Sequence, residues 1–159
     1  MNTWFVIQTK PGKEFHVERI FREASFEVYV PKHKNRKIIK PFFPGYGFVR
    51  FSFPGEYTLV KYTRGVKRIV GFRTGPTPLP DLVIEEIRSR EKDGLIAVCL
   101  EDVPLKEGDK IEVTEGAFAG LEGIFQKNIS GRERVAILLN CVSYHGRMLI
   151  ERQKIRKHP

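Results

Sequence analysis

The sequence predicts an α+β protein in two units. An amino-terminal unit of strands and amphipathic helices spans residues 1–100, a linker covers 101–104, and a small β-barrel follows over 105–159. Three observations predict this. Residues 42–51, FFPGYGFVRF, are half aromatic and alternate after the Pro44-Gly45 turn, the period of a strand. Apolar residues from Phe15 to Ala24 recur at helical spacing against a charged opposite face, so a helix packs on that sheet. Past residue 104 the chain breaks into short strands and glycine turns. A unit that small is only marginally stable unless it closes on itself.

Each element follows from local chemistry. Thr3–Gln8 (TWFVIQ) is apolar and β-prone, a buried strand broken by Lys10-Pro11-Gly12. Pro11 suits the first turn of the helix that follows. Phe26–Val30 is a second strand ended by Pro31. Residues 32–40, KHKNRKIIK, hold five Lys/Arg, one His and no acid, which reads as a solvated loop or one facing phosphates.

In the aromatic strand, Tyr46, Phe48 and Arg50 share one face, and Gly45, Gly47, Val49 and Phe51 the other. Bulky groups on both faces place it mid-sheet under two covers, or leave one face for a partner. The pattern alone keeps both readings open. Pro54-Gly55-Glu56 starts a short helix, Thr63-Arg64-Gly65 ends it, and Val66–Phe72 is a strand. Pro76, Pro78 and Pro80 exclude a helix before Asp81, which is the expected N-cap of a helix over 82–92 with Leu82, Val83, Ile84 and Ile87 on its apolar face.

The charge is unevenly placed. Residues 1–92 carry 18 Lys/Arg and 9 Asp/Glu, whereas residues 93–159 carry 10 of each, so the whole formal charge of +9 lies in the first part. That part is the candidate for a polyanion. No apolar stretch is long enough to span a bilayer, and no signal pattern opens the chain, so a cytoplasmic protein is expected. Cys99 and Cys141 fit no paired spacing and are expected as free thiols. The four histidines are scattered without metal-ligand spacing, and no phosphate-binding or nucleophile-elbow motif occurs. An enzyme, a metal or a cofactor is not expected.

Residues 105–125, LKEGDKIEVTEGAFAGLEGIF, resemble the KOW motif of small SH3-like barrels in transcription and ribosomal proteins: G-D-x-I-x-V, G-A-F-x-G and G-I-F arrive in that order. Here Phe118 and Leu121 would plug a barrel end and Ile124-Phe125 would begin the next strand. With this motif in place, Trp4, Lys10-Pro11-Gly12, F-P-G-Y-x-F-V and T-R-G-V together resemble the NusG family of transcription elongation factors, nearest to its RfaH-like specialised paralogs. The resemblance implies a sandwich of mainly antiparallel sheet flanked by helices, then a KOW barrel.

It implies a transcription elongation and antitermination factor that binds the clamp helices of RNA polymerase, with Tyr46 and Phe48 on the polymerase-facing side and the 82–87 helix bordering the patch. It implies contact of the non-template DNA strand with Lys10, His16, Arg19, Thr63 and Arg64, recruitment of the ribosomal protein NusE or of Rho by the barrel, and action as a monomer. Two departures stand out. The threonine-rich loop with which RfaH meets the polymerase β subunit is replaced by Glu56-Tyr57-Thr58-Leu59, and the usual F-G-R-x-T-P-V barrel ending by residues 140–147.

In RfaH-like proteins the last domain can instead form a helical hairpin over the polymerase patch. Four glycines in 105–125 disfavour helix, each by up to about 1 kcal/mol, so a barrel at rest is expected here. The alternative function is a KOW-bearing ribosomal or RNA-binding protein, against which the zero net charge of the trailing unit argues.

Overall fold

The computed structural model describes residues 2–96, 121–125 and 129–156. In chain order the elements are β1 (Asn2–Thr9), α1 (Glu14–Glu23), β2 (Glu27–Tyr29), β3 (Lys32–Asn35), β4 (Ile38–Pro41), β5 (Tyr46–Ser52), α2 (Tyr57–Lys61) and β6 (Val66–Ile69). They continue with β7 (Gly71–Phe72), β8 (Gly75–Pro76), β9 (Pro78–Leu79), α3 (Asp81–Ser89), β10 (Glu91–Lys92), β11 (Leu95–Ile96), a 3-10 turn (Leu121–Phe125) and α4 (Gly131–Arg156).

The main sheet runs β2–β5–β1–β6, with β9 also paired to β1 at Trp4 and Phe5. Every pairing is antiparallel. β1 and β5 pair along their length, from Asn2↔Ser52 to Gln8↔Tyr46. The aromatic strand therefore lies mid-sheet, and both its faces are covered. On one face Phe5 and Phe51 stack with ring centroids 4.4 Å apart, among Val17 and Phe21 of α1 and Val60 of α2. On the other, Val6 and Phe48 meet Val83, Ile84 and Ile87 of α3 and Leu138 and Val142 of α4.

Local chemistry explains the joints. Glu14, in the first turn of α1, suits the positive end of the helix dipole, and its Oε1 accepts the Gly45 N–H at 2.9 Å, holding the turn that launches β5. Gly65 has φ +94, and a Cβ there would lie 2.7 Å from Val17 Cγ2, so the T-R-G-V turn seats on α1 only as glycine.

Three sequence expectations are corrected. Residues 32–40 are not a loop but a two-stranded ribbon, β3 with β4, closed by Arg36-Lys37. The strand expected over Val66–Phe72 breaks at Val70, whose N–H donates to Val6 at 2.8 Å while the chain turns into the β7–β8 hairpin. Asp81 is the first helical residue rather than the cap. Extended Pro80 precedes it without a side-chain cap bond, and Asp81 faces Arg50 at 3.8 Å.

The trailing unit differs most. Residues 121–125 and 131–156 are helical, so a resting barrel over this stretch is not what the structure has. Ile124 is buried in a 3-10 turn rather than opening a strand. The reason lies in where the glycines stand. Those of 105–125 do not reach α4, which contains only Gly146 past its first residue and no proline. Arg134, Leu138, Cys141, Val142 and Gly146 fall at helical spacing on one buried stripe, and the sheet offers an aromatic surface to receive it. The linker at 101–104 and the motif from 105 to 120 lie outside the described residues.

At Gly146 α4 packs directly on the sheet unit, since a Cβ would run into the Phe72 ring. Two effects oppose each other on substitution. Losing a mid-helix glycine favours the helix by up to about 1 kcal/mol, whereas overpacking costs about 1–3 kcal/mol. We expect Gly146→Leu to weaken docking of α4 although it favours the helix itself, read as faster hydrogen exchange across α4.

Candidate functional site

The aromatic stretch builds a buried patch. Phe43 is edge-on to both Phe42 (5.2 Å) and Phe48 (5.9 Å), and Tyr29 stacks on Phe48 at 6.1 Å. Tyr46 is 8% exposed and Phe48 0%. Both expected polymerase-facing residues are thus sealed in this conformation, and part of the seal comes from the far end of the chain. Phe125 stacks on Phe42 at 6.1 Å, and Leu138 and Val142 complete the cover.

Arg134 fastens that cover. It is 8% exposed. Its guanidinium lies 4.3 Å from the Phe42 centroid. Nη1 donates to the Phe42 carbonyl at 2.8 Å and Nη2 to the Ile129 carbonyl at 3.2 Å. Among the described residues no carboxylate pairs with it. Carbonyl dipoles and a ring face hold the charge instead, and burial pulls its pKa down. Sequence reading missed Arg134. Its signal was the four-residue step to Leu138 and Val142 on a helical period.

His33 also meets Phe42, edge-on at 5.7 Å. Its pKa is lowered, first by desolvation and then by the charges of Arg134 and Lys40. The folded state therefore binds a proton more weakly than the unfolded chain, whose histidine titrates near 6.5. The associated stability is present above about pH 6.5 and falls as pH drops below it. We expect acidification from about pH 7.5 to about pH 5 to lower the melting temperature more for wild type than for His33→Asn, in scans at constant ionic strength.

The expected DNA residues lie on the α1 side. The Lys10 N–H donates to Gly65 at 2.8 Å, which fixes the start of α1 against the T-R-G-V turn. Gly65 also abuts His16 and Lys13. Lys10 and Arg64 are exposed and His16 half-buried. Arg19 is exposed three residues along α1 from His16, on the same helical face. Thr63 uses its hydroxyl inward, donating to the Leu59 carbonyl at 2.8 Å, so it shapes the turn. Lys10, His16, Thr63 and Arg64 gather at one corner. Lys67, exposed on β6, and Arg68, whose Nε donates to Gln8 at 2.6 Å, extend the charge along the sheet edge. This arrangement can hold phosphates.

Comparison with known proteins places the chain. A family model described as transcription termination factor nusG matches residues 2–88. The transcription termination/antitermination protein NusG of Deinococcus radiodurans is 27% identical over 169 residues, covering 86% of this chain and 89% of that protein. The protein of the same name from Staphylococcus epidermidis is 26% identical over 173 residues, covering 97% and 94%. That from Streptococcus pyogenes serotype M1 is 31% identical over 141 residues, covering 76% and 77%. A solved structure titled "Domain interaction in Thermotoga maritima NusG" aligns with a TM-score of 0.43 at 22% identity, over 53% of this chain and 54% of that one. The class is that of a transcription factor. The chain belongs to the NusG family.

Proposed function

We propose that this factor binds the clamp helices of RNA polymerase through the aromatic patch around Tyr46 and Phe48, holds the non-template DNA strand at the corner of Lys10, His16, Arg19, Thr63 and Arg64, and suppresses pausing. One observation carries the reading: a continuous aromatic surface on the sheet is covered by a helix drawn from the opposite end of the chain. An apolar surface of this kind, when free, is a partner site. Polymerase and α4 then compete for one face, so binding requires α4 to leave. Once free, residues 105–159 adopt the KOW barrel that their glycine turns favour and recruit NusE or Rho.

The test is an elongation assay with purified polymerase, scored for pause lifetime and readthrough, alongside a polymerase pull-down. A variant whose α4 is loosened should bind more tightly than wild type, and Tyr46→Ala should reverse that gain. Unchanged binding in both variants rejects the reading.

A further inference from the structure

We infer that the β3–β4 ribbon is a second nucleic-acid surface, an arm that takes duplex DNA. From Lys34 to Lys40 every residue is exposed. At its root, Lys32 donates to Glu18 at 2.7 and 2.9 Å, which fastens the ribbon to α1 and uses that one cation structurally. Among the described residues, Lys34, Arg36, Lys37 and Lys40 are in no ion pair. Four free cations thus ride on a ribbon that carries no acid.

Two further features say that the tip meets something. Ile38 is 61% exposed and Ile39 50%. In the register, Asn35 faces Ile38 and Lys34 faces Ile39, so the two isoleucines point to opposite sides of the ribbon and neither serves the core. The tip residue Arg36 has φ +59, the left-handed region where asparagine or glycine is the low-strain choice in a two-residue hairpin turn. An arginine there keeps a charge at the apex at a conformational cost.

Cations flanking exposed aliphatic groups on a narrow ribbon match the chemistry of a DNA groove. Phosphates line both rims, and apolar groups can wedge against sugar edges and base steps between them. A single strand offers phosphates but no groove. The arm is distinct from the corner at Lys10 and Arg64, and the inference does not need the polymerase reading, because its test contains no polymerase.

The experiment measures binding of the full chain by fluorescence anisotropy to a short DNA duplex, one of its single strands, an RNA duplex of the same sequence, and vesicles of phosphatidylserine and phosphatidylcholine, across a salt series. The duplex DNA should bind tightest. Replacing Lys34, Arg36, Lys37 and Lys40 together with alanine should flatten the slope of log affinity against log salt by about 3–4, at roughly 0.9 for each phosphate that the variant no longer neutralises. Ile38→Ser with Ile39→Ser should keep that slope, weaken duplex binding roughly tenfold, equivalent to about 1.4 kcal/mol, and leave single-strand binding unchanged. Lys10→Ala with Arg64→Ala should weaken the single strand and spare the duplex slope. The six substituted ribbon positions are all exposed, so melting temperatures should stay at the wild-type value. Equal binding of duplex DNA and single strand, preference for RNA or vesicles, or an unchanged slope in the four-site variant overturns the inference.

Discussion

Arg134→Ala releases α4. Its bond to the Phe42 carbonyl and its place on the Phe42 ring cross the seam between α4 and the sheet unit, while its bond to the Ile129 carbonyl shapes the approach to α4. A hydrogen bond to a charged group contributes about 1.5–3 kcal/mol, and a desolvated cation–ring pair adds about 2 kcal/mol. Desolvation of the guanidinium opposes these, so a net loss of about 2 kcal/mol is expected. That raises the undocked fraction roughly thirtyfold.

Cys141 reports it. The thiol is 1% exposed on the docked stripe, and burial pushes its pKa up to about 11. In a Cys99→Ser background, a thiol reagent should modify Cys141 in proportion to the undocked population, so its rate should rise by the same factor in Arg134→Ala. Arg134→Lys keeps a charge but cannot span both carbonyls, and should fall between. Equal rates in all three proteins would mean that Arg134 does not hold the cap.

How much of this was legible in the sequence depended on how local each signal was. The order of β1, α1, β2, β5, α2, β6 and α3 follows from period, proline and glycine, because each of those elements declares itself within a few residues, whereas the short pairings of β7 with β8 and β10 with β11 do not. The ribbon escaped because Lys34, Ile39 and their neighbours do not alternate apolar with polar. A ribbon exposed on both faces has no reason to. The docked α4 escaped for a different reason. Barrel and helix compete over long range, and the winner depends on whether Phe42 and Phe48 are there to receive Leu138 and Val142, about ninety residues or more away in sequence. Composition near residue 120 holds no trace of that. The basic corner sits between. Its residues were legible through family motifs, but only the Lys10–Gly65 bond and the Val17–Gly65 fit show why two distant segments meet.

Phe48→Ala should destabilise the sheet unit itself. Phe48 has no exposed surface and packs against Tyr29 and Phe43 in the same core cluster as Val6 of the next strand. Truncating a buried phenylalanine costs about 3–5 kcal/mol, a large part of the about 5–15 kcal/mol that holds a typical domain, and should lower the melting temperature by on the order of 10 °C. Phe48 therefore serves poorly as a probe of partner binding, whereas Tyr46, at the patch's edge beside the Gly45 turn, can be truncated at less cost.

Leu138→Ala is the matched control. It removes a fully buried side chain from the same cluster, but from the cap, so it should raise Cys141 reactivity while the sheet's own transition stays put. Thermal melts followed by tryptophan fluorescence report the sheet, because Trp4 lies in β1 within this cluster. A fall in that transition for Phe48→Ala but not for Leu138→Ala makes cap and sheet two separable cooperative units, as a face that must be uncovered for a partner requires. Equal falls would make α4 part of the sheet's own core, and a helix that cannot leave without unfolding the domain cannot give way to polymerase.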